Sequence, residues 1–457
     1  MSPLPLSREL LARYGDAVPR YTSYPTAPVW TEFDSVEGER VLRAAGRSSQ
    51  PLSVYVHLPF CRKLCLYCGC NMMVTRSEEL VERYLAGLER EIAKSGALLG
   101  DREVTQLHWG GGTPTFLSCE QLRRVHRALT GALRFAPDAE QAIEIHPPVT
   151  TPEQLETLRA LGFSRLSMGV QDFDPRVQLA VNRIQPFEQT RDLVVASRRL
   201  GFGSLNIDLM YGLPHQQPAT FAETLDRVAE LAPDRIALFG YAHVPQLKPH
   251  QKLIPEHALP GAERRLDIFE LAMGRLGELG YRHIGLDHFA REDDELSRAQ
   301  RNGTLRRDFM GYTAGSATEL VGFGASAISE LQGAYLQNLR EVPAYLRAVE
   351  AGRLPAARGI HLSADDLARR AVIQALFCQL EVNTRAFGAR LGISFEAYFV
   401  EELARLEPFA RDGLVELRPG SIRVTAAGRI LLRSVAAVFD AYLHRASAAR
   451  PVFSKVV

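Results

Sequence analysis

The sequence has few cysteines, no long hydrophobic run and almost no net charge. Six of its 457 residues are cysteines, and no run reaches the ~18 to 20 uninterrupted apolar residues that a membrane-spanning helix needs. Lys and Arg number 54 against 53 Asp and Glu, a net charge of +1, which gives no support to a nucleic-acid or anionic-membrane role. We also find no secretory signal, repeat or low-complexity tract, and therefore expect a cytoplasmic protein.

Four of the six cysteines are crowded into ten residues. Cys61, Cys65, Cys68 and Cys70 follow the pattern C-x3-C-x2-C-x-C, directly after the strand-like run 53–58. The thiols thus lie on a loop that leaves the C-terminal end of a strand, which is where active sites of α/β proteins gather. Such crowding predicts a metal centre.

Three interpretations compete for this cysteine loop. Disulfides are disfavoured because a chain of this length can bury a core without them. Structural zinc usually joins two knuckles a dozen or more residues apart, and no second knuckle follows. An iron–sulfur cluster normally takes four thiolates. If only Cys61, Cys65 and Cys68 bind, one iron keeps an open position, and an open position indicates chemistry rather than scaffolding.

Strand-like runs alternate with helical stretches from about residue 50 to 330, the pattern of β/α units around a parallel sheet. We predict helices over 77–99 and 118–133, and two further runs, 282–286 and 321–325, at the open edge. The fold class is therefore α/β, a partial (β/α)6 TIM-like barrel. Its six predicted strands are 53–58, 105–109, 142–146, 165–170, 204–210 and 235–241.

The alternation stops near residue 361. Helical stretches at 367–380 and 397–406, a hairpin at 414–417 and 422–425, and a final helix from 426 to about 443 predict a mostly helical tail. A winged-helix module would also fit this order, but the neutral charge favours a cap on the barrel. The predicted domains are an N-terminal segment (1–50), the barrel (51–330) and a mostly helical C-terminal domain with a small hairpin (331–457).

Polar residues and glycines occupy the predicted strand ends. Gly110-Gly111-Gly112-Thr113-Pro114 follows the second strand, where glycines let the backbone approach a ligand. Glu144, Gln171 and Asp208 lie in or at the end of the next three strands. Each could simply bond a neighbouring loop, but since the C-terminal ends of barrel strands converge, together they predict a ring of ligand-binding groups.

The C-x3-C-x2-C loop followed by GGGTP resembles the radical S-adenosylmethionine superfamily. Further motifs are RYTSYPT (20–26), RLSMGVQDF (165–173), NIDLMYGLP (206–214), GYAHVP (240–245) and GLDHFAR (285–291). Through them nearly the whole chain resembles one family of that superfamily, the oxygen-independent coproporphyrinogen III oxidases (coproporphyrinogen dehydrogenases). Cys70 favours this family, because the related heme chaperones typically have Phe there.

The resemblance implies both cofactors and their sites. Cys61, Cys65 and Cys68 would hold a [4Fe–4S] cluster, whereas Cys70 would not bind iron. One S-adenosylmethionine would contact Tyr55, Gly111, Glu144 and Ile328. A second molecule would contact Tyr67, Gly112, Thr113, Gln171, Arg183, Asp208 and Ala242.

The implied reaction is anaerobic oxidative decarboxylation of two propionate side chains of coproporphyrinogen III to vinyl groups, giving protoporphyrinogen IX in heme biosynthesis. It would need an electron donor such as flavodoxin or ferredoxin. The sequence is consistent with a monomer, and the segment 20–26 would close over the substrate. Two departures from the family pattern lie near the expected active face: His146-Pro147-Pro148 replaces Asp-Pro-Arg after a hydrophobic residue, and Met310 replaces Gln.

Two alternatives remain open at this point. A related radical enzyme could act on another tetrapyrrole. A heme-binding or heme-trafficking protein without oxidase activity could instead bind heme through histidines such as His146, His243 or His288. Cys119 and Cys378, which are distant from the cysteine loop, are expected to be small core residues.

Overall fold

The computed structural model describes residues 7–445, which form two compact units. The larger unit comprises residues 31–260 and 315–361, and the smaller unit comprises the described parts of 1–30, 261–314 and 362–457. Residues 1–6 and 446–457, which belong to the predicted N-terminal segment and C-terminal domain, lie outside the described residues. Within 7–445, no helix is long and apolar enough to cross a membrane.

Six neighbouring parallel strands form the centre of the larger unit. They occur in sequence order, as expected of successive β/α units. Each overlaps one of the six predicted strands, so the predicted barrel strands are confirmed. Their bounds are β1, Leu52–Leu58; β2, Glu103–Gly111; β3, Arg134–Ile145; β4, Arg165–Gln171; β5, Ser204–Tyr211; and β6, Arg235–Gly240.

A second group of strands extends this sheet beyond β1. Strand β7 (Glu319–Phe323) pairs in parallel with β1, which confirms that the run 321–325 covers this edge. Beyond it, antiparallel pairing joins β8 (Ile328–Leu331), β9 (Ala334–Asn338) and β10 (Ala356–His361), with the two-residue strand Thr31–Glu32 at the edge.

Amphipathic helices of the larger unit connect the strands. The predicted helix over 77–99 begins after Ser77, whose side chain accepts a hydrogen bond from Leu80 N–H, and buries Leu88 and Ile92 completely. The next begins with a capping box at Ser118. The helices are α1, Ser35–Ala45; α2, Glu78–Leu99; α3, Cys119–Ala132; α4, Pro152–Ala160; α5, Pro175–Ala180; α6, Phe187–Arg199; α7, Pro218–Leu231; and α8, Val342–Glu350.

Side chains along the parallel strands alternate between buried apolar residues on one face of the sheet and half-buried polar residues on the other face. In β5, Leu205, Ile207 and Leu209 are fully buried, whereas Asn206 and Asp208 between them are only half-buried. Because successive strand side chains point to opposite faces, the polar residues of neighbouring strands share one face. This geometry brings the predicted ligand-binding residues together.

The smaller unit is mostly helical with short hairpins. Its strand Tyr281–Gly285, which overlaps the predicted run 282–286, pairs with His288–Arg291, and Val415–Arg418 pairs with Ser421–Val424 in the predicted hairpin. The other strands are Arg306–Asp308, Gly311–Thr313 and Glu381–Asn383. The helices are Arg8–Tyr14, Ala262–Glu278, Glu295–Arg301, Ala364–Gln379, Thr384–Leu391, Phe395–Tyr398, Val400–Arg411, Leu432–Ala437 and Ala441–Arg445.

The N-terminal motif 20–26 packs within the smaller unit. Tyr21 and Tyr24 are 2% and 1% exposed. The Tyr21 hydroxyl donates to Asp440 Oδ2 at 3.0 Å, and the Tyr24 hydroxyl accepts from Ala441 N–H at 3.1 Å. Closure of this segment over a substrate stays a prediction, as do the three domain boundaries.

The prediction of one final helix over 426–443 is wrong. Turns precede a short helix over Leu432–Ala437, and a second helix begins after Asp440, whose carboxylate accepts hydrogen bonds from Tyr442 and Leu443 N–H. An Asp in this capping position starts a new helix rather than continuing the old one, so the helical periodicity across it was misleading.

Candidate active site

The cysteine loop, residues 61–74, begins just after β1 and is closed at its base. A short parallel pair joins Phe60 to Met73 and Cys61 to Val74. The loop backbone is further fixed by the hydrogen bond from Cys68 N–H to Cys65 O at 3.1 Å. The loop therefore holds three cysteines of the predicted ligand set beside the C-terminal end of the first barrel strand.

The thiols of this loop differ in acidity. Burial raises the pKa of the Cys61 thiol to about 11. The hydrogen bond with the Cys70 thiol is the largest cause of a lowered Cys68 pKa, about 6. The same bond and burial raise the pKa of Cys70 well above its usual value. Cys68 is therefore the thiol readiest to become a thiolate, the form that binds metal.

The donor set fits a cluster better than a single ion. Within residues 7–445, no three His, Cys, Asp or Glu side chains converge on one ion position. In a [4Fe–4S] cluster each thiolate binds a different iron, so its ligands need not meet at one point. Cys61, Cys65 and Cys68 all line one cavity, together with Thr113, whose hydroxyl lies 3.5 Å from Cys61 Sγ.

The glycine turn after β2 lies against the base of the cysteine loop. Gly111 has φ of +118°, a conformation that glycine adopts readily. A Cβ on Gly112 would lie 2.7 Å from the carbonyl carbon of Pro59. Hydrogen bonds from Gly112 N–H to Leu58 O and from Thr113 N–H to Phe60 O, both 2.9 Å, complete this contact. These glycines thus let the turn and the cysteine loop approach closely.

Glu144 is the inward-facing carboxylate of β3. Its Oε2 accepts a hydrogen bond from Gly111 N–H at 3.2 Å, and its Oε1 lies 3.4 Å from His108 Nε2. Burial opposes ionisation, but the hydrogen bonds with His108 and Gly111 outweigh it, so that the pKa of Glu144 is lowered. The side chain is 43% exposed and lines the cavity. It can therefore accept hydrogen bonds from a ligand as a carboxylate.

Three polar atoms that line the cavity lack a hydrogen-bond partner among the described residues. They are His146 Nε2, Gln171 Oε1 and Arg183 Nε. Arg183 is otherwise held, since its Nη1 lies 3.6 Å from Cys65 Sγ and its Nη2 donates to Gly169 O. Burial and then the charge of Arg183 lower the pKa of His146 to about 2, so His146 is neutral. Buried polar groups without partners indicate a place for a polar ligand.

Asp208 is the second carboxylate of the cavity. Burial, followed by the negative charge of Glu144, raises its pKa to about 7. Hydrogen bonds from Asn206 Nδ2 at 2.7 Å and Ser167 Oγ at 3.4 Å hold the side chain. The site thus contains one ionised carboxylate and one that titrates near neutrality, an arrangement typical of functional sites.

The cavity has a volume of about 520 Å³, within the usual range for small-molecule sites. Tyr55, Ala242 and Ile328 are not among its lining residues within the described chain. Tyr55 pairs in register with Gly322, and a Cβ on Gly322 would lie 2.5 Å from Ile328 O. The cavity is lined by most of the other predicted site residues: Cys61, Cys65, Tyr67, Cys68, Gly111, Gly112, Thr113, Glu144, Gln171, Arg183 and Asp208.

Sequence reasoning missed two histidines that support this site. His57 Nδ1 lies 3.0 Å from the Tyr55 hydroxyl, and its Nε2 lies 2.8 Å from Asn71 O in the cysteine loop. His108 stacks on Tyr55, with 6.0 Å between ring centroids, and reaches Glu144. His57 follows Tyr55 by two residues on the same strand, and His108 lies opposite Tyr55 on the neighbouring strand. These positions, on the same face as Tyr55, were the signal in the sequence that could have identified both histidines.

The parallel barrel strands, the cysteine loop at the end of the first and the polar cavity define a radical SAM protein. The model of the radical SAM superfamily matches residues 55–228, and that of the HemN C-terminal domain matches 362–431. The solved Escherichia coli coproporphyrinogen III oxidase (HemN), described as a radical SAM enzyme, is similar with a TM-score of 0.90 and 43% identity, over 96% of this chain and 100% of that one.

Curated relatives extend over the same length. The oxygen-independent coproporphyrinogen III oxidase of Salmonella typhimurium is 47% identical over 449 residues, 98% of both chains. That of Synechocystis is 44% identical over 457 residues, 99% of this chain and 98% of the relative. The chain belongs to the family of oxygen-independent coproporphyrinogen III oxidases, as its motifs predicted. The predicted radical SAM fold and the predicted class of enzyme are confirmed.

A [4Fe–4S] cluster and S-adenosylmethionine are characteristic of radical SAM proteins, so membership of the superfamily bears out both predicted cofactors. The three thiols and the unpartnered polar atoms of the cavity fit them. The number of S-adenosylmethionine molecules and the individual contact residues stay predictions.

Proposed function

We propose that this protein converts coproporphyrinogen III to protoporphyrinogen IX without oxygen, by decarboxylating two propionate side chains to vinyl groups. The observation that carries the proposal is the cavity at the strand ends, in which three cysteines of one loop face carboxylate, amide and guanidinium groups. The full-length similarity to oxygen-independent coproporphyrinogen III oxidases supports the substrate.

The cysteine loop is the proposed site of the cluster. Cys61, Cys65 and Cys68 would bind three irons and leave the fourth open to S-adenosylmethionine. When bound, the cluster supplies the electron that splits S-adenosylmethionine into methionine and a 5′-deoxyadenosyl radical. The loop and the glycine turn keep the ligands in place by the backbone contacts of Gly112 and Thr113.

The first S-adenosylmethionine is assigned to Tyr55, Gly111, Glu144 and Ile328. Glu144 carries this assignment, because its lowered pKa keeps a carboxylate available for the amino or hydroxyl groups of the ligand. The hydrogen bond from Gly111 N–H orients that carboxylate. Tyr55 is itself oriented by His57.

The second S-adenosylmethionine is assigned mostly to other residues of the same cavity. The unpartnered Gln171 Oε1 and Arg183 Nε support this assignment, because each needs a hydrogen-bond partner that the described chain does not supply. His146 presents a third unpartnered atom there, in a place where the family usually has a carboxylate. The proposed contacts are Tyr67, Gly112, Thr113, Gln171, Arg183, Asp208 and Ala242.

The heme-binding alternative is not favoured, because the full-length relatives that the chain matches are oxygen-independent coproporphyrinogen III oxidases. A cytoplasmic location and a small electron-transfer protein such as flavodoxin or ferredoxin as electron donor are part of the proposal, because thiolate-bound clusters persist in reducing compartments.

An anaerobic turnover assay tests the proposal. Protein reconstituted with iron and sulfide receives S-adenosylmethionine, a reductant and coproporphyrinogen III, with an electron acceptor present. Wild type and Cys119→Ala, a matched cysteine outside the loop, are expected to form protoporphyrinogen IX, whereas Cys65→Ala is not. Deoxyadenosine without decarboxylation in the wild type would refute the substrate and retain the radical chemistry.

A further inference from the structure

Side chains from separate elements bind five backbone carbonyls of the cysteine loop. All five are ordinary hydrogen bonds of 2.8 to 3.1 Å. Such a loop is preorganised before any ligand binds, because its polar backbone groups already have partners. The pairs are Asn182 Nδ2 with Leu64 O, Gln251 Nε2 with Tyr67 O, His250 Nε2 with Cys68 O, Lys248 Nζ with Cys70 O, and His57 Nε2 with Asn71 O.

Three of the five donors come from one segment, residues 244–253, which we term the bracket. It folds back on itself, since Gln251 Oε1 accepts from Val244 N–H at 2.6 Å and Val244 O accepts from Lys248 N–H at 2.9 Å. Gln251 is 1% exposed. The next residue after the bracket, Ile254, is buried in an apolar cluster against which Tyr67 packs. The bracket is therefore a fixed element rather than a free loop.

Two donors of the bracket, Lys248 and His250, affect the electrostatics of the cysteine loop. A carbonyl oxygen can only accept, so His250 Nε2 holds a proton directed at Cys68 O. Lys248 brings a positive charge to within 2.9 Å of Cys70 O. Potentials of iron–sulfur clusters depend on nearby charge, hydrogen bonding and solvent exposure, and a nearby positive charge favours addition of an electron.

We propose that Lys248 and His250 are positioning residues of the cluster site: they fix the cysteine loop, and Lys248 raises the reduction potential of the cluster. The inference rests on the proposed cluster ligands Cys61, Cys65 and Cys68, and it does not depend on the proposed substrate. It extends the site beyond the residues that line the cavity, because neither Lys248 nor His250 lines it.

A redox titration followed by electron paramagnetic resonance tests the charge. At the wild-type midpoint potential, Lys248→Met should lower the ratio of reduced to oxidised cluster roughly three- to tenfold, as one partly screened unit charge would. Lys248→Arg should restore the ratio. Lys252→Met is the control, since Lys252 lies in the same bracket, is exposed, and its side chain has no hydrogen bond or ion pair among residues 7–445. An unchanged ratio in Lys248→Met would overturn the electrostatic role.

Iron release to a chelator and amide hydrogen exchange of the apo-protein test the positioning role. His250→Phe should release iron several-fold faster and speed exchange in peptides covering the cysteine loop, and His250→Gln, which keeps an N–H donor, should restore both. Wild-type rates in His250→Phe would overturn this role. Absence of a cluster in the wild type would refute the proposed ligands as well, whereas an intact cluster with unchanged values in both variants would refute this inference alone.

Discussion

Removal of the charge on Glu91 should change how stability depends on pH. Glu91 lies on α2, is 4% exposed, and accepts hydrogen bonds from Tyr345 Oη at 2.6 Å, Asn338 Nδ2 at 2.6 Å and Gly324 N–H at 2.8 Å. These bonds join α2 to α8, β9 and the turn after β7. Burial outweighs these hydrogen bonds and raises the Glu91 pKa to about 7, from an ordinary 4.5.

The direction of the pH effect follows from this raised pKa. Between about pH 4.5 and 7, the folded protein holds a proton on Glu91 that the unfolded chain has lost. Stability from this group is therefore present at low pH and is lost as the pH rises through 7. The full change is up to about 3 kcal/mol. Glu91→Gln cannot ionise, so the wild type should lose about 2.5 kcal/mol of this stability relative to the variant between pH 5 and pH 8.

Thermal unfolding of the apo-protein at several pH values measures the effect. At about 2 °C per kcal/mol, the midpoint difference between wild type and Glu91→Gln should change by about 5 °C from pH 5 to pH 8. Glu91→Ala should be destabilised by about 3 to 5 kcal/mol at pH 5, because three buried donors lose their acceptor, and by less at pH 8, because alanine cannot ionise either. Glu79→Gln, an exposed position on the same helix, is the control. A difference independent of pH would refute the raised pKa.

Three further predictions concern buried charge, glycine and the cavity. Arg102→Met should cost about 3 to 5 kcal/mol in thermal unfolding, because its side chain is 2% exposed and Glu319 would lose its only oppositely charged partner among residues 7–445; a loss below 1 kcal/mol contradicts this. Gly112→Ala should lower iron bound per chain after reconstitution, since its Cβ would clash with the base of the cysteine loop, whereas Gly131→Ala, with nothing within 4 Å, should not; equal iron contents contradict it. Binding of S-adenosylmethionine, measured by equilibrium dialysis, should strengthen as the pH rises through about 7 in the wild type, because the Asp208 carboxyl ionises there. In Asp208→Asn the affinity should be independent of pH, and a retained pH dependence would assign it to another group.

Much of the larger unit could be predicted because its pattern is local. Strands β1 to β6 are apolar runs separated by amphipathic helices, and side-chain alternation places Glu144 and Asp208 on one face. The cysteine spacing and the glycine turn are also local patterns, and they predicted residues that line the cavity. The final helix failed because one Asp, residue 440, caps a new helix inside a stretch with helical periodicity.

The support around the site could not be predicted from spacing. Lys248, His250 and Gln251 bind backbone carbonyls, which every residue carries, so nothing in the sequence of the cysteine loop marks their partners. The unpartnered Nε2 of His146 is likewise a property of the folded cavity. Such contacts depend on the packing of elements that are more than a hundred residues apart.

The most direct test of the proposed function is the stoichiometry of anaerobic turnover. Deoxyadenosine, carbon dioxide and tetrapyrrole products are quantified by mass spectrometry after reaction of the reconstituted protein with coproporphyrinogen III. Two propionates decarboxylated by one radical each predict about two deoxyadenosines and two carbon dioxide molecules per protoporphyrinogen IX. Deoxyadenosine formed while coproporphyrinogen III remains unchanged would contradict the proposed function.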